Sequence, residues 1–128
     1  MTAPIALVVE DNPFMAEIVN EMCLRHGFTV RFFPNVWQAL GDLQTARPHV
    51  IVTDIYLPSV SGNELLRRLA CSPALSKTPT AVFTAATDAK GIDPVVDQLN
   101  ATVFRKPNDI MLLDGFLASV KTQLAAEP

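Results

Sequence analysis

The run His49-Val-Ile-Val-Thr-Asp54 decides the fold. Between its ends it is apolar and β-branched with no polar alternation, which is how a central parallel strand covered on both faces reads. Strands paired in parallel need long return connections, so helices must flank this one. Working outward, short β-branched runs do alternate with stretches of helical period. Strands are predicted over residues 5–9, 29–32, 79–84 and 101–104, giving five βα units with helices on both faces of one parallel sheet.

The punctuation between strands agrees. Asn12 is placed to cap a first helix with Pro13 in its first turn, where a missing N–H costs little. Phe14, Ile18, Met22 and Cys23 are its predicted inner face, and Gly27 suits a left-handed stop. A second helix starts at about Asn35 and turns Val36, Ala39, Leu40 and Leu43 inward. Ser61 caps a third containing Leu65, Leu66 and Leu69, and Asn108 a last one with the stripe Ile110, Leu113, Leu117, Val120 and Leu124. The pattern weakens between Asp88 and Asn100, where Gly91 and Pro94 interrupt a fourth helix and Asp93-Pro94 suits a short, late start. A mobile or remodelled face is expected there.

With 128 residues, the chain is read as one domain spanning 1–128, and its 49% hydrophobic content suffices for a single core. Cys23 and Cys71 lack metal-ligand spacing and read as reduced, buried thiols, and no secretory signal precedes them, so a cytoplasmic setting is expected. No apolar run is long enough to cross a bilayer, which excludes membrane insertion as an expectation. A net charge of −3 offers no basic footprint, which argues against direct nucleic-acid binding.

Ligands of open α/β sheets bind beyond the carboxyl ends of the strands, and those ends are polar here. Strand one ends at Glu10-Asp11, strand three at Asp54, strand four at Thr84 and strand five at Lys106-Pro107. Singly, these residues read as a solvated strand end, a β-former and a surface amine. Together they must converge on one rim. Three gathered carboxylates repel one another unless a cation sits among them, and hard oxygen ligands select Mg²⁺ or a similar divalent ion. Lys106 adds a positive charge and Thr84 a hydroxyl, the set that holds the oxygens of a phosphoryl group in transfer. A carboxylate nucleophile needs no general base, so the set points to acyl phosphate formation.

The chain resembles the receiver domain of bacterial response regulators from Ile5 to about Leu124. The resemblance rests on Leu7-Val-Val-Glu10-Asp11, Asp54-Ile-Tyr-Leu-Pro58-Ser-Val-Ser-Gly62, Val82-Phe-Thr84-Ala-Ala and Lys106-Pro107, in order and at similar intervals. It implies a flavodoxin-like sheet of order 2-1-3-4-5, the order of which the chemotaxis receiver is one example. It further implies that Asp54 attacks the phosphoryl donor, that Asp11 and Asp54 bind Mg²⁺ directly, and that Glu10 acts mainly through water. The backbone carbonyl of Tyr56 would complete the metal shell, and Thr84 and Lys106 would each meet a phosphoryl oxygen. Lys106 would be set by a cis bond to Pro107, and Pro58 and Gly62 would shape the loop. The donor implied is a histidine kinase or histidine phosphotransfer protein, and the output a downstream protein or output domain, reached through a shift after Thr84.

Two positions depart from the family pattern. Receivers commonly carry an aromatic three residues before the lysine, where this chain has Val103, with Phe104 following. Either Phe104 serves as the switch or no aromatic rotamer does. The Gly91 to Pro94 stretch is the second departure. Tyr56 is larger than the residue often found there and is placed to shield an acyl phosphate from water. Rival readings fit less well. A non-phosphorylated, receiver-like protein-binding module is the alternative, yet the acid, nucleophile and lysine positions are all filled. An aspartate-nucleophile phosphatase needs a carboxylate where Tyr56 stands. A flavin carrier needs a Ser/Thr/Gly-rich loop where Glu10-Asp11-Asn12-Pro13 would repel its phosphate.

Overall fold

Five parallel strands form one sheet in a computed structural model that describes residues 2–86 and 91–127. They are β1 (Ile5–Val9), β2 (Thr29–Phe33), β3 (Val50–Thr53), β4 (Thr80–Thr84) and β5 (Ala101–Arg105), in the order β2-β1-β3-β4-β5. β1, β3 and β4 are nearly or wholly buried along their length, as continuous apolar runs require. The register sets Val9 beside Thr53 and Thr53 beside Val82, so β1, β3 and β4 run out at the same rim. This is the flavodoxin-like fold expected from the sequence.

Four helices cover the sheet: α1 (Pro13–Arg25), α2 (Val36–Leu43), α3 (Gly62–Ala70) and α4 (Ile110–Ala126). α1 and α4 close one face around Ala6, Val8, Val52 and Phe83. α2 and α3 close the other around Leu7, Val9, Ile51 and Val82, with Leu65, Leu66 and Leu69 fully buried. The alternation of strand residues between these two cores follows from the two-residue pleat. Asn12, Asn35 and Ser61 cap α1, α2 and α3 by accepting from Met15, Gln38 and Asn63 N–H groups at 3.0, 2.9 and 3.1 Å. Gly27 ends α1 at φ +86, in the left-handed region.

Four expectations need correction. The buried row of α1 is Ala16, Val19, Met22 and Cys23, whereas Phe14 is 72% exposed. Met22 and Cys23 belong to both rows, and Ala16 and Val19 take the buried places expected of Phe14 and Ile18. The last helix starts at Ile110 beside Asp109, not Asn108, and Asp109 does not cap it. Its carboxylate turns back to accept from the Arg105 N–H at 2.8 Å and so closes the turn after β5. The short, late start expected at Asp93-Pro94 is present, but as a 3-10 helix rather than an α-helix, Pro94–Gln98, which Asp93 caps through the Val95 N–H at 2.9 Å. Asn63 at the start of α3 holds this segment by donating to the Gly91 carbonyl and accepting from the Asp93 N–H, and Arg67 pairs with Asp93 at 2.6 Å. Residues 87–90, which include Asp88, lie outside the described residues.

The fourth correction concerns the thiols. Cys23 is buried and Cys71 exposed, because Cys71 falls just past the end of α3. Burial pushes the Cys23 thiol up to about 12, so almost no thiolate forms at pH 8. Iodoacetamide should therefore label Cys71 alone in the native protein and both cysteines after unfolding. Equal native labelling, read by intact mass and peptide mapping, would contradict the buried placement of Cys23.

Candidate phosphoryl and metal site

The rim gathers its side chains because each follows a strand whose register is locked by the sheet. Glu10 and Asp54 come one residue after β1 and β3, and both are buried, with 3% and 6% exposure. Buried carboxylates require partners. Asp54 Oδ1 accepts from the N–H groups of Ile55 and Tyr56 at 2.6 and 3.3 Å. Its Oδ2 lies 2.7 Å from Lys106 Nζ. The same ammonium donates to Glu10 Oε1, while Glu10 Oε2 accepts from the Asn12 N–H at 3.2 Å. Lys106 stands one residue beyond β5, just ahead of a cis bond to Pro107, and its backbone N–H donates to the Thr84 carbonyl at 3.0 Å.

The electrostatics follow from burial and pairing. Burial pushes the Glu10 carboxyl above its ordinary value, against the opposing hydrogen bond and charge of Lys106. Burial disfavours the Lys106 ammonium, but hydrogen bonds to Asp54 and Glu10 outweigh it and hold its pKa above the usual lysine value. Lys106 also lies 5.7 Å from the centroid of the Phe83 ring.

Asp11 is exposed at the mouth of this cluster. One oxygen each of Glu10, Asp11 and Asp54 fall within 4.8 Å of one another, and one lysine cannot neutralise three carboxylates. The donor set is hard and anionic, which suits a divalent cation with oxygen preference. Thr84 is fully buried, its Oγ1 accepting from the Ala86 N–H at 3.1 Å. Tyr56, two residues after Asp54 in the loop that leaves it, is 59% exposed.

That loop is tightly built. Ser59 takes φ 67 while the Val60 N–H donates to the Pro58 carbonyl at 2.8 Å, the geometry of a γ-turn. The Ile55 carbonyl then accepts from both the Ser61 hydroxyl and the Gly62 N–H, at 3.3 and 2.8 Å. A Cβ at Gly62 would lie 1.9 Å from the Asp54 carbonyl oxygen, so only glycine allows α3 to start this close to the acidic rim.

The switch candidates fall on opposite faces. Val103 pairs with Val82 and shares the face that Val82 and Thr84 present, and it is 39% exposed. Phe104 is buried on the other face, where its ring meets Phe116 edge to face with centroids 5.5 Å apart. β5 thus offers no aromatic side chain on the face of Thr84. Sequence reasoning missed Phe83 beneath the lysine and Asn63 as the tie to the Gly91–Asp93 segment. Asn63 carries no motif, and only tertiary contact reveals it.

An acidic rim completed by a lysine stands at the carboxyl ends of a flavodoxin-like sheet, where open α/β domains bind their ligands. The model of the response regulator receiver domain family matches residues 6–115. The rice two-component response regulator ORR12 is 28% identical over 118 residues, covering 91% of this chain and 98% of its own. Hybrid signal transduction histidine kinase D of Dictyostelium discoideum is 34% identical over 85 residues, which are 66% of this chain and 5% of that protein. The chain thus corresponds to a small part of some curated relatives. The signal receiver domain of a signal transduction histidine kinase from Syntrophus aciditrophicus superposes with a TM-score of 0.80 at 23% identity, over 98% of this chain and 96% of that one. The chain belongs to the response regulator receiver domain family and is a phosphoryl-accepting switch of two-component signalling. No helix among the described residues is long and apolar enough to cross a membrane.

Proposed function

We propose that Asp54 is the phosphoryl acceptor. The observation that carries this reading is the pairing of Asp54 Oδ2 with Lys106 Nζ at 2.7 Å inside a cluster of three carboxylates. Oδ1 is occupied by two backbone N–H groups, so Oδ2 is the oxygen left to attack phosphorus. In the transfer, the bond from Oδ2 to phosphorus forms as the phosphorus–nitrogen bond of a donor phosphohistidine breaks, and the imidazole leaves. Lys106 moves from Asp54 to a phosphoryl oxygen, and Thr84 turns its hydroxyl from the Ala86 N–H toward another. Glu10, Asp11, Asp54 and the Tyr56 carbonyl would hold Mg²⁺, which when bound neutralises charge on the phosphoryl oxygens. Tyr56, exposed beside Asp54, shields the acyl phosphate from water.

The donor is a histidine kinase or histidine phosphotransfer protein in the cytoplasm, and a downstream protein or output domain reads the result. The domain catalyses only its own phosphorylation and dephosphorylation. Incubation with acetyl phosphate and Mg²⁺ should add the mass of one phosphoryl group to the wild type and none to Asp54→Asn. A gain that survives in Asp54→Asn would reject Asp54 as the acceptor. No gain in the wild type would favour the non-phosphorylated binding module.

A further inference from the structure

A continuous hydrogen-bonded path leaves the Asp54 carboxylate through the oxygen that Lys106 does not hold. Oδ1 accepts from the Ile55 N–H at 2.6 Å, and the Ile55 carbonyl accepts from the Gly62 N–H at 2.8 Å. Ser61 ties in beside it, its hydroxyl donating to the same carbonyl at 3.3 Å and accepting from the Asn63 N–H at 3.1 Å. The Asn63 side chain then reaches across to a distant part of the chain. Its Nδ2 donates to the Gly91 carbonyl at 3.0 Å, and its Oδ1 accepts from the Asp93 N–H at 2.9 Å. The path therefore joins the carboxylate to the segment after β4 without passing through Thr84 or β5.

Both ends of the path have little slack. At the near end Gly62 abuts backbone, since a Cβ there would meet the Asp54 carbonyl group and Ile55 Cα within 3.0 Å. Any displacement of the chain at Asp54 and Ile55 thus bears on the first turn of α3. At the far end an amide offers a donor and an acceptor side by side, so Asn63 clamps two backbone groups at once. Arg67, one turn further along α3, adds its ion pair to Asp93 at 2.6 Å. Ile92, Val95, Val96 and Leu99 pack against the core that holds Leu65, Leu66 and Leu69. Residues 91–99 are docked on α3. The other conceivable route is poorly equipped, because Phe104 is buried on the face of the sheet opposite Thr84.

We propose that the state of Asp54 is transmitted to residues 91–99 through the first turn of α3, with Asn63 as the positioning residue that carries it. The inference rests on the reading of Asp54 as the phosphoryl acceptor. Hydrogen bonds to a carboxylate are stronger than those to a neutral carbonyl. A phosphoryl group on Oδ2 turns Oδ1 into such a carbonyl and loosens its hold on the Ile55 N–H. The Ile55 peptide shifts, Ser61 and Gly62 follow it, and Asn63 moves Gly91 and Asp93 together, which biases the docked segment between two packed arrangements. Pro94, Asp97 and Gln98, exposed on the outside of that segment, then form the surface that reports the change.

The test uses the full chain labelled with ¹⁵N, before and after acetyl phosphate with Mg²⁺, with intact mass measured on the same sample. Modified wild type should show shifted amides at Gly62 and Asn63 and also at Ile92, Val95 and Gln98. Asn63→Leu removes both side-chain bonds at similar volume. Asn63→Asp removes only the donor to Gly91, and its charge favours the first turn of a helix, so α3 still forms. Both variants should keep the Asp54-dependent mass gain and the shifts at Ala86 and Lys106, yet lose those at Ile92, Val95 and Gln98. A merely structural role for Asn63 would alter the unmodified spectra without uncoupling the two regions. Persistence of the Ile92, Val95 and Gln98 shifts in either variant would overturn the proposal and assign the route to the loop after Thr84. Their absence in modified wild type, or loss of the mass gain in the variants, would overturn it as well. A wild type that gains no mass would instead reject the acceptor reading, and the relay would fall with it.

Discussion

Replacement of Lys106 by methionine is expected to destabilise the protein by about 3 kcal/mol at pH 7, lowering the melting temperature by on the order of 10 °C. Methionine keeps much of the stem's packing but strands two carboxylates. Glu10 and Asp54 are nearly buried and share the one ammonium, so its removal leaves both without a cation. The loss should depend on pH, with a sign fixed by the two shifts. Lys106 is held above 10.5, so its contribution is fully present below that value and disappears as pH climbs through the raised folded pKa. Glu10 is held above 4.5, so the native state binds its proton more tightly than the unfolded chain. Stability therefore falls as pH rises from 4.5 through the folded value of Glu10. In Lys106→Met the alkaline loss should vanish, and the deficit should shrink as acid protonates Glu10. Thermal denaturation in metal-free buffer across pH 4 to 11 measures this, and a deficit of the same size at every pH would reject the account.

Gly62→Ala should be comparably damaging, by about 3 kcal/mol, through overpacking rather than charge. The added Cβ would sit 1.9 Å from the Asp54 carbonyl oxygen, 2.9 Å from its carbon and 3.0 Å from Ile55 Cα. All three are backbone atoms with no rotamer to yield. Either α3 withdraws from the sheet and loses packing of Leu65, Leu66 and Leu69, or the chain at Asp54 shifts and misplaces the carboxylate. Two internal controls exist. Gly41 in α2 and Gly115 in α4 face open space, and alanine there should stabilise by up to about 1 kcal/mol through helix propensity. Chemical denaturation of the three variants gives the comparison. A Gly62→Ala protein as stable as Gly115→Ala would show that the close approach to Asp54 is not required.

The rim was legible in advance because a parallel sheet places every strand's carboxyl end on one edge, so an apolar run ended by a polar residue marks the site. Glu10, Asp54 and Thr84 each end such a run, and Lys106 follows the last one after Arg105. Their mutual contacts were not legible. Lys106 lies 96 positions from Glu10 and 52 from Asp54, and one ammonium serving both depends on how β5 docks on β4. The inner face of α1 was misjudged for a related reason. Two apolar rows share Met22 and Cys23 on that helix, and only packing against the sheet chooses Ala16 and Val19 over Phe14 and Ile18. The interruption by Gly91 and Pro94 announced a defective fourth helix, but its hold on α3 through Asn63 and Arg67 needed the assembled structure.

By itself, the sequence determined the parallel sheet, its flanking helices and the polar residues at its carboxyl edge, because hydrophobic period and strand-end polarity are local properties. Only the tertiary structure decided which row of α1 is buried, which cysteine is exposed and which face Phe104 takes. It also decided how one lysine bridges two acids. Those outcomes turn on steric fit and electrostatic pairing between segments far apart in the chain, which no local pattern encodes.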